Sequence, residues 1–301
     1  GYVTRTPAGV VIGIAGFNYP RLLATHRRAP AIAAACPVII KPAPNTPLAT
    51  LELLAITREV LADHGVTAAA VQLVNGGPEV GEVLVSDPRA AVVSFTGSAK
   101  IGHLIARQAA PRKAVLELGS NTGFIVAADA DVEAAVDAVL RGAFYANGQA
   151  CISVQRVVLE RPIAEQFTSR LVERLSEVVV GDPRSDDTNV AHVINSGSGD
   201  RIRAVISAAV EAGARMLGDG PGDGDAALVR PTVLGDVPTD AEAWNEEIFG
   251  PVVCLATVDS VDEAIDLVNH SRYGLQAAIY TASLESAFDA IDRLEVGGVV
   301  V

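Results

Sequence analysis

The chain has 301 residues, half of them apolar and 4% aromatic, with a formal net charge of −13. That length predicts roughly two domains, and a core of Val, Leu, Ile and Ala suits parallel sheets covered by helices. The acidic balance excludes nucleic acid as a partner, the three dispersed cysteines exclude a disulfide framework or thiolate zinc cluster, and no apolar run reaches the ~18 residues of a membrane span.

Strand-length apolar runs alternate with helical patterns along the chain. Residues 10–15, 38–41, 71–74, 91–95 and 115–118 read as strands. Between them, 22–35, 48–63, 79–86 and 100–109 read as helices, with Pro37 and His64-Gly65 as stops. This alternation predicts an α/β fold with an open, doubly wound parallel sheet. A second series follows, with strands at 124–127, 154–159, 229–233, 252–257, 277–280 and 296–301. Its helices are predicted at 132–145, 164–178, 201–212, 261–269 and 284–294. The domain boundary is expected near Gly119-Ser120-Asn121, giving domains 1–119 and 120–301, and the Gly/Asp-rich stretch 218–225 reads as a surface loop. The chain opens at Gly1 without an initiator Met and closes in a run that reads as the middle of a buried strand, so it is expected to be part of a longer protein. No signal peptide is visible, and the composition fits a cytoplasmic location.

Six segments carry residues suited to chemistry. Cys151 is expected at a helix-to-strand junction, where partial exposure and nearby N–H groups favour thiolate; a buried packing thiol is the alternative. Phe95-Thr96-Gly97-Ser98 follows a strand and opens a helix, so Gly97 and Ser98 suit a pyrophosphate or a simple helix cap. Lys41 closes an apolar strand, where ligands bind in open α/β sheets; a solvated lysine is the alternative. Glu117 is flanked by Leu116 and Leu118, and burial there would raise its pKa toward that of a general base; a water-facing strand residue is the alternative. Asn18 follows the first strand and reads as a helix cap or an oxyanion donor. Glu246-Glu247-Ile248-Phe249-Gly250-Pro251 sets a carboxylate beside an aromatic ring. Cys36 and Cys254 read as packing residues, His192 and His270 take no role, and no metal site is expected.

In their order along the chain, the segments resemble the aldehyde dehydrogenase superfamily, and the resemblance runs from Pro7 to Val299. It implies a Rossmann-like dinucleotide-binding domain over 1–119 and an α/β catalytic thiol domain over 120–301, each shorter than in relatives. It also implies oxidation of an aldehyde to a carboxylic acid with NAD or NADP. Cys151 matches the nucleophile, Glu117 the base that activates water, and Asn18 the oxyanion donor. Lys41 matches the adenosine-ribose lysine, Gly97 and Ser98 the pyrophosphate turn, and Glu247 and Phe249 the pair at the nicotinamide ribose and ring. Tyr19, Leu22, Leu23 and His26 fall where relatives line the substrate tunnel, and Ala150 and Ile152 flank the nucleophile. A homo-oligomer, dimer or tetramer, is implied for the full-length protein.

The chain departs from the family pattern at three places. Pro44 stands where many relatives carry a Glu that binds ribose hydroxyls, which leaves NAD and NADP both open. Ser120-Asn121 replaces the usual Gly-Lys after Glu-Leu-Gly, and Arg21 stands at an often apolar position. Two further readings are a CoA-acylating relative, against which Glu117 argues, and an inert or non-catalytic chain on the same fold. The substrate expected is a small polar or short aliphatic aldehyde.

Overall fold

Apolar runs too short for helices, most of them followed by a Pro-led or capped helical segment, set up the crossovers of this fold. The computed structural model describes residues 1–222 and 224–301, and the chain divides into two compact units, Gly1–Leu118 and Gly119–Val301.

The first unit runs β1 (Val10–Ile14), α1 (Pro20–Ala33), β2 (Val38–Lys41), α2 (Pro47–Asp63), β3 (Val71–Leu73), α3 (Pro78–Ser86), β4 (Ala90–Thr96), α4 (Ala99–Ala109) and β5 (Lys113–Glu117). All its strand pairs are parallel, in the order β3-β2-β1-β4-β5, so the winding reverses between β1 and β4. Proline occupies the first turn of α1, α2 and α3, where its missing N–H costs nothing and its φ is already helical. The period-two rule of a strand separates the core into two faces. Val11, Val38 and Ile40 pack on one side with Leu54, while Ile12, Val93 and Phe95 pack on the other with Val85 and Ile105.

The second unit runs β6 (Thr122–Val126), α5 (Val132–Phe144), β7 (Val154–Glu160), α6 (Arg161–Arg174), α7 (Ser196–Glu211), β8 (Arg215–Leu217), β9 (Thr232–Gly235), α8 (Glu242–Asn245), β10 (Val252–Val258), α9 (Val261–Asn269), β11 (Gln276–Tyr280), α10 (Leu284–Arg293) and β12 (Gly298–Val300). The sheet order is β12-β11-β6-β7-β10-β9-β8. β6 and β7 lie at the centre and are buried along nearly their whole length, as continuous apolar runs require. Asp131, Asn195, Ser260 and Ser283 cap α5, α7, α9 and α10 through side-chain oxygens. No helix among the described residues is long and apolar enough to cross a membrane.

Four expectations are corrected. The second sheet is mixed, because the short β8 pairs antiparallel to β9 at the edge. The strand expected at 229–233 forms at Thr232–Gly235, since Pro231 has no N–H to give a ladder. The last strand is a three-residue edge strand with Gly298 and Val300 exposed, not the middle of a buried one, because it pairs with β11 alone. Glu117 is exposed: the leucines beside it turn to the core face, and alternation turns the carboxylate outward. Of the Gly/Asp-rich loop, Asp223 lies outside the described residues.

Candidate active site

In the first unit the singled-out residues gather at the carboxyl ends of the parallel strands. Ile14, Lys41 and Phe95, at or near the ends of β1, β2 and β4, line a cleft of about 360 Å³ walled by α3 and α4. This is the reversal point of the winding, where open α/β sheets bind ligands. Most of the lining is apolar, including Pro78, Ile101, Leu104 and Ile105. Lys41 is 5% exposed, and its Nζ makes one long contact, 3.4 Å, to the Pro42 carbonyl. Burial pushes the ammonium's pKa down, and the Glu79 carboxylate opposes that shift. An ammonium buried with donors to spare in a largely apolar cleft suits a ligand that pairs hydroxyl acceptors with an apolar ring.

The turn after β4 adds an anion-binding geometry. Ser98 is the N-cap of α4, yet its hydroxyl makes no capping hydrogen bond. The Gly97 N–H donates to the Glu117 carbonyl at 3.1 Å, and a Cβ on Gly97 would press on the Phe95 ring. Glu117 ends β5 opposite Thr96, with its carboxylate outward. Below it lies Arg27, which the sequence reading passed over. Its guanidinium is 4% exposed and donates to the Leu23 carbonyl and Thr96 Oγ1. Burial lowers its pKa to about 10, with Glu117 partly restoring it.

Asn18 stands one residue outside α1, whose N-cap is Tyr19. Asn18, Tyr19, Arg21, Leu22 and Thr25 line an open groove at the start of that helix. Leu22 and His26 are exposed, and Leu23 is half-buried. Arg21 is exposed at the groove's edge.

In the second unit the chemistry lies at the amino ends of the strands. α5 ends at Phe144, and Ala146, Asn147 and Gly148 all take left-handed backbone angles (φ 50, 60 and 65°) before Cys151 and β7. This turn is held from two sides. Asn147 accepts a hydrogen bond from the Ala191 N–H at 2.7 Å and donates to the His192 carbonyl at 3.0 Å, while Gln149 Oε1 accepts from the Ile194 N–H. A side chain on Gly148 would overlap the backbone of Gly250 and Pro251, so the cysteine turn lies directly against the Phe249-Gly250 turn. Phe249 itself has φ 51°. Ala150 is buried, Ile152 is exposed and Cys151 is half-buried.

Two buried amides and a half-buried carboxylate then fix the segment before β10. Gln155 donates to the Ala243 and Glu246 carbonyls and accepts from the Ile248 N–H at 2.8 Å. Asn121 donates to the Trp244 and Asn245 carbonyls, which gives its departure from the family pattern a structural role. Glu247 accepts the Ser120 N–H at 2.9 Å, and burial raises its pKa. The neighbouring Glu246 turns elsewhere, to Arg272 and the Tyr273 hydroxyl. Asn147, Gln149 and Gln155 were not singled out in the sequence. A buried amide within an apolar strand was the one available signal, and it was present only at Gln155. Among the described residues no group of three or more His, Cys, Asp or Glu side chains could hold a metal ion.

A doubly wound sheet with a cleft at its reversal point, and a second α/β unit with a half-buried thiol on a pinned turn, place the chain in the α/β class. The chain belongs to the aldehyde dehydrogenase family, whose model matches residues 1–301. It is 38% identical over its whole length to a 3-sulfolactaldehyde dehydrogenase of Priestia megaterium, covering 62% of that protein. It also resembles the glyceraldehyde-3-phosphate dehydrogenase of Methanocaldococcus jannaschii complexed with NADP, with a TM-score of 0.94 and 35% identity over 99% of this chain and 64% of that one. For the lactaldehyde dehydrogenase of Escherichia coli the TM-score is 0.93 at 35% identity, over 98% of this chain and 62% of that one. The chain thus spans about 62% of the length of the curated relatives it matches.

Proposed function

We propose that this protein oxidises an aldehyde to a carboxylic acid with NAD or NADP, with Cys151 as the nucleophile. The observation that carries the reading is the contrast among its three thiols. Cys36 and Cys254 are buried, and burial pushes the Cys254 thiol up to about 12. Cys151 is half-buried on a turn that positive-φ residues and two amide side chains hold in place. Such a turn supports a thiol fixed for attack rather than one packed as a hydrophobe.

The Cys151 sulfur bonds to the aldehyde carbon, and the carbonyl oxygen becomes an oxyanion that the Asn18 amide stabilises as a donor. A bound nicotinamide cofactor would supply the hydride acceptor for this carbon, and Cys151 would keep the acyl group as a thioester. Glu117 takes a proton from water, hydroxide equivalent adds to the thioester, and the C–S bond breaks to release acid and thiolate. Its outward carboxylate supports contact with solvent water. Lys41 holds the adenosine ribose, Gly97 and Ser98 the pyrophosphate, and Glu247 and Phe249 the nicotinamide end. On this reading residues 1–119 form the dinucleotide-binding domain and 120–301 the thiol domain. Tyr19, Leu22, Leu23, His26, Ala150 and Ile152 meet the substrate. A small polar aldehyde fits the relatives' named substrates, which include sulfolactaldehyde and lactaldehyde. A homo-oligomer in the cytoplasm is the expected setting.

The test is made on the full-length protein with Cys151→Ala and Glu117→Gln. Replacing the thiol removes turnover and the acyl-enzyme together. Replacing the base leaves an acyl-enzyme visible by intact mass, with steady-state rate down roughly 10²–10⁴-fold. Normal turnover by Glu117→Gln sinks the base assignment, and acyl-CoA rather than acid as the sole product sinks the hydrolytic reading.

A further inference from the structure

We propose that Glu79 makes the adenosine cleft of the first unit select NAD over NADP, in the part that Pro44 cannot play. The proposal rests on the reading that this cleft holds the adenosine ribose at Lys41. In dinucleotide sites a carboxylate accepts hydrogen bonds from the ribose hydroxyls and repels a 2′-phosphate, whereas an arginine accommodates that phosphate. Pro44 lines the cleft and offers neither charge nor donor.

The charges at this cleft favour the first arrangement. Lys41 is the one cation among the residues that line it. It is buried and its Nζ faces the Pro42 carbonyl. Glu79, in the first turn of α3, accepts the Gly77 N–H through Oε1 at 2.9 Å, and Gly77 lines the cleft. A Cβ on Gly77 would overlap this carboxylate, so the exposed group folds back onto the turn that lines the cleft. Its negative charge opposes the burial that lowers the Lys41 pKa. One turn on, Glu82 lines the same wall. The cleft thus carries one ammonium, with Glu82 on its lining and Glu79 on the turn that flanks it. A neutral ribose diol can donate to Glu79 and accept from Lys41. A 2′-phosphate adds close to two negative charges where the cation is already matched and no arginine lines the wall.

The experiment is calorimetric titration of the full-length protein with NAD, NADP, 5′-AMP and adenosine 2′,5′-bisphosphate, which reads binding without turnover. Wild type is expected to bind NAD at least about tenfold more tightly than NADP, with 5′-AMP and the bisphosphate ordered the same way, the scale of one unrelieved charge repulsion near a protein surface. Glu79→Gln should narrow that ratio roughly five- to tenfold, mostly through tighter NADP binding, and Glu82→Gln should narrow it less. The wild-type ratio should also shrink as ionic strength rises from about 0.02 to 0.3 M, since exposed charges are screened over that range; this arm needs no variant. A wild type that prefers NADP, or a ratio untouched by both Glu79→Gln and salt, overturns the proposal and leaves the cofactor reading standing. Failure of all four nucleotides to bind overturns the cofactor reading and this proposal with it.

Discussion

The environment of a single ionisable group decides whether it does chemistry or packing, and two pairs of like residues separate on that basis here. Cys254 sits within β10, fully buried, its Sγ directed at the Ala243 carbonyl. With its pKa near 12, roughly one thiol in 10⁴ would be ionised at pH 8. Cys151 keeps solvent access at the end of its turn. The adjacent acids Glu246 and Glu247 divide likewise: the first is paired with Arg272, and the second is half-buried and accepts from the Ser120 N–H. Burial raises the Glu247 pKa above its unfolded value. As pH climbs past the unfolded carboxyl's pKa of about 4.3, the unfolded chain ionises first, so the folded state loses stability until its own Glu247 ionises. Glu247→Gln retains an oxygen for the Ser120 N–H and carries no such penalty. It should unfold at higher urea than wild type at pH 7, with the gap closing below about pH 4. A gap that is constant across this pH range would show that ionisation is not its cause.

Elements were largely legible, and their ends were not. Strand and helix periods marked α2, α9 and β10 to within a residue or two of their observed bounds, because each is a long amphipathic or continuous apolar run. β8 and α8 carry three and four residues and have no period to read. Cys151 was singled out as a thiol at a helix-to-strand junction, and only the family resemblance favoured a nucleophile over a packing residue there. The amides that pin its turn were not, since Asn147 and Gln149 bond to backbone groups 44–45 residues away, and Gln155, which fixes the segment before β10, to groups 88–93 residues away. Gln155 makes the sharpest case. Gln155→Leu would leave the Ile248 N–H and the Ala243 and Glu246 carbonyls without this partner inside a buried layer. Stability should fall by roughly 2–4 kcal/mol, at 1–3 kcal/mol for each buried group left unpaired with some relief from the leucine. Urea denaturation measures it; a loss below about 1 kcal/mol would mean that water or a shifted backbone replaces the amide. Because Ile248 lies between Glu247 and Phe249, affinity for the nicotinamide end should weaken more than affinity for 5′-AMP.

Over the whole chain, the two units place their singled-out residues at opposite ends of their own sheets. In the first, Asn18, Lys41, Gly97 and Glu117 follow or close the carboxyl ends of β1, β2, β4 and β5. In the second, Ser120, Cys151 and Glu247 precede the amino ends of β6, β7 and β10. The general rule for open sheets predicts the first arrangement. The second arises because the left-handed turn at 146–148 and the Gln155 bridge build a site on the approach to the strands. The buried apolar clusters divide as well, with Val11 through Ile105 in the first unit and Phe124 through Leu294 in the second. Separate cores make separate cooperative openings the expected behaviour. A ligand of one unit should then protect that unit alone. With 5′-AMP at about a hundred times its Kd, the stabilisation is ~2.7 kcal/mol, or roughly a hundredfold slower amide exchange for openings that expel the ligand. Hydrogen exchange read by mass spectrometry should show that slowing in peptides covering β1, β2, α3, β4 and α4. Peptides from β6, β7 and β10 should keep their free rates. Equal slowing in β7 and β10 would mean that the two cores open as one, and exchange unchanged in β2 and α3 would mean that adenylate does not bind the cleft at Lys41.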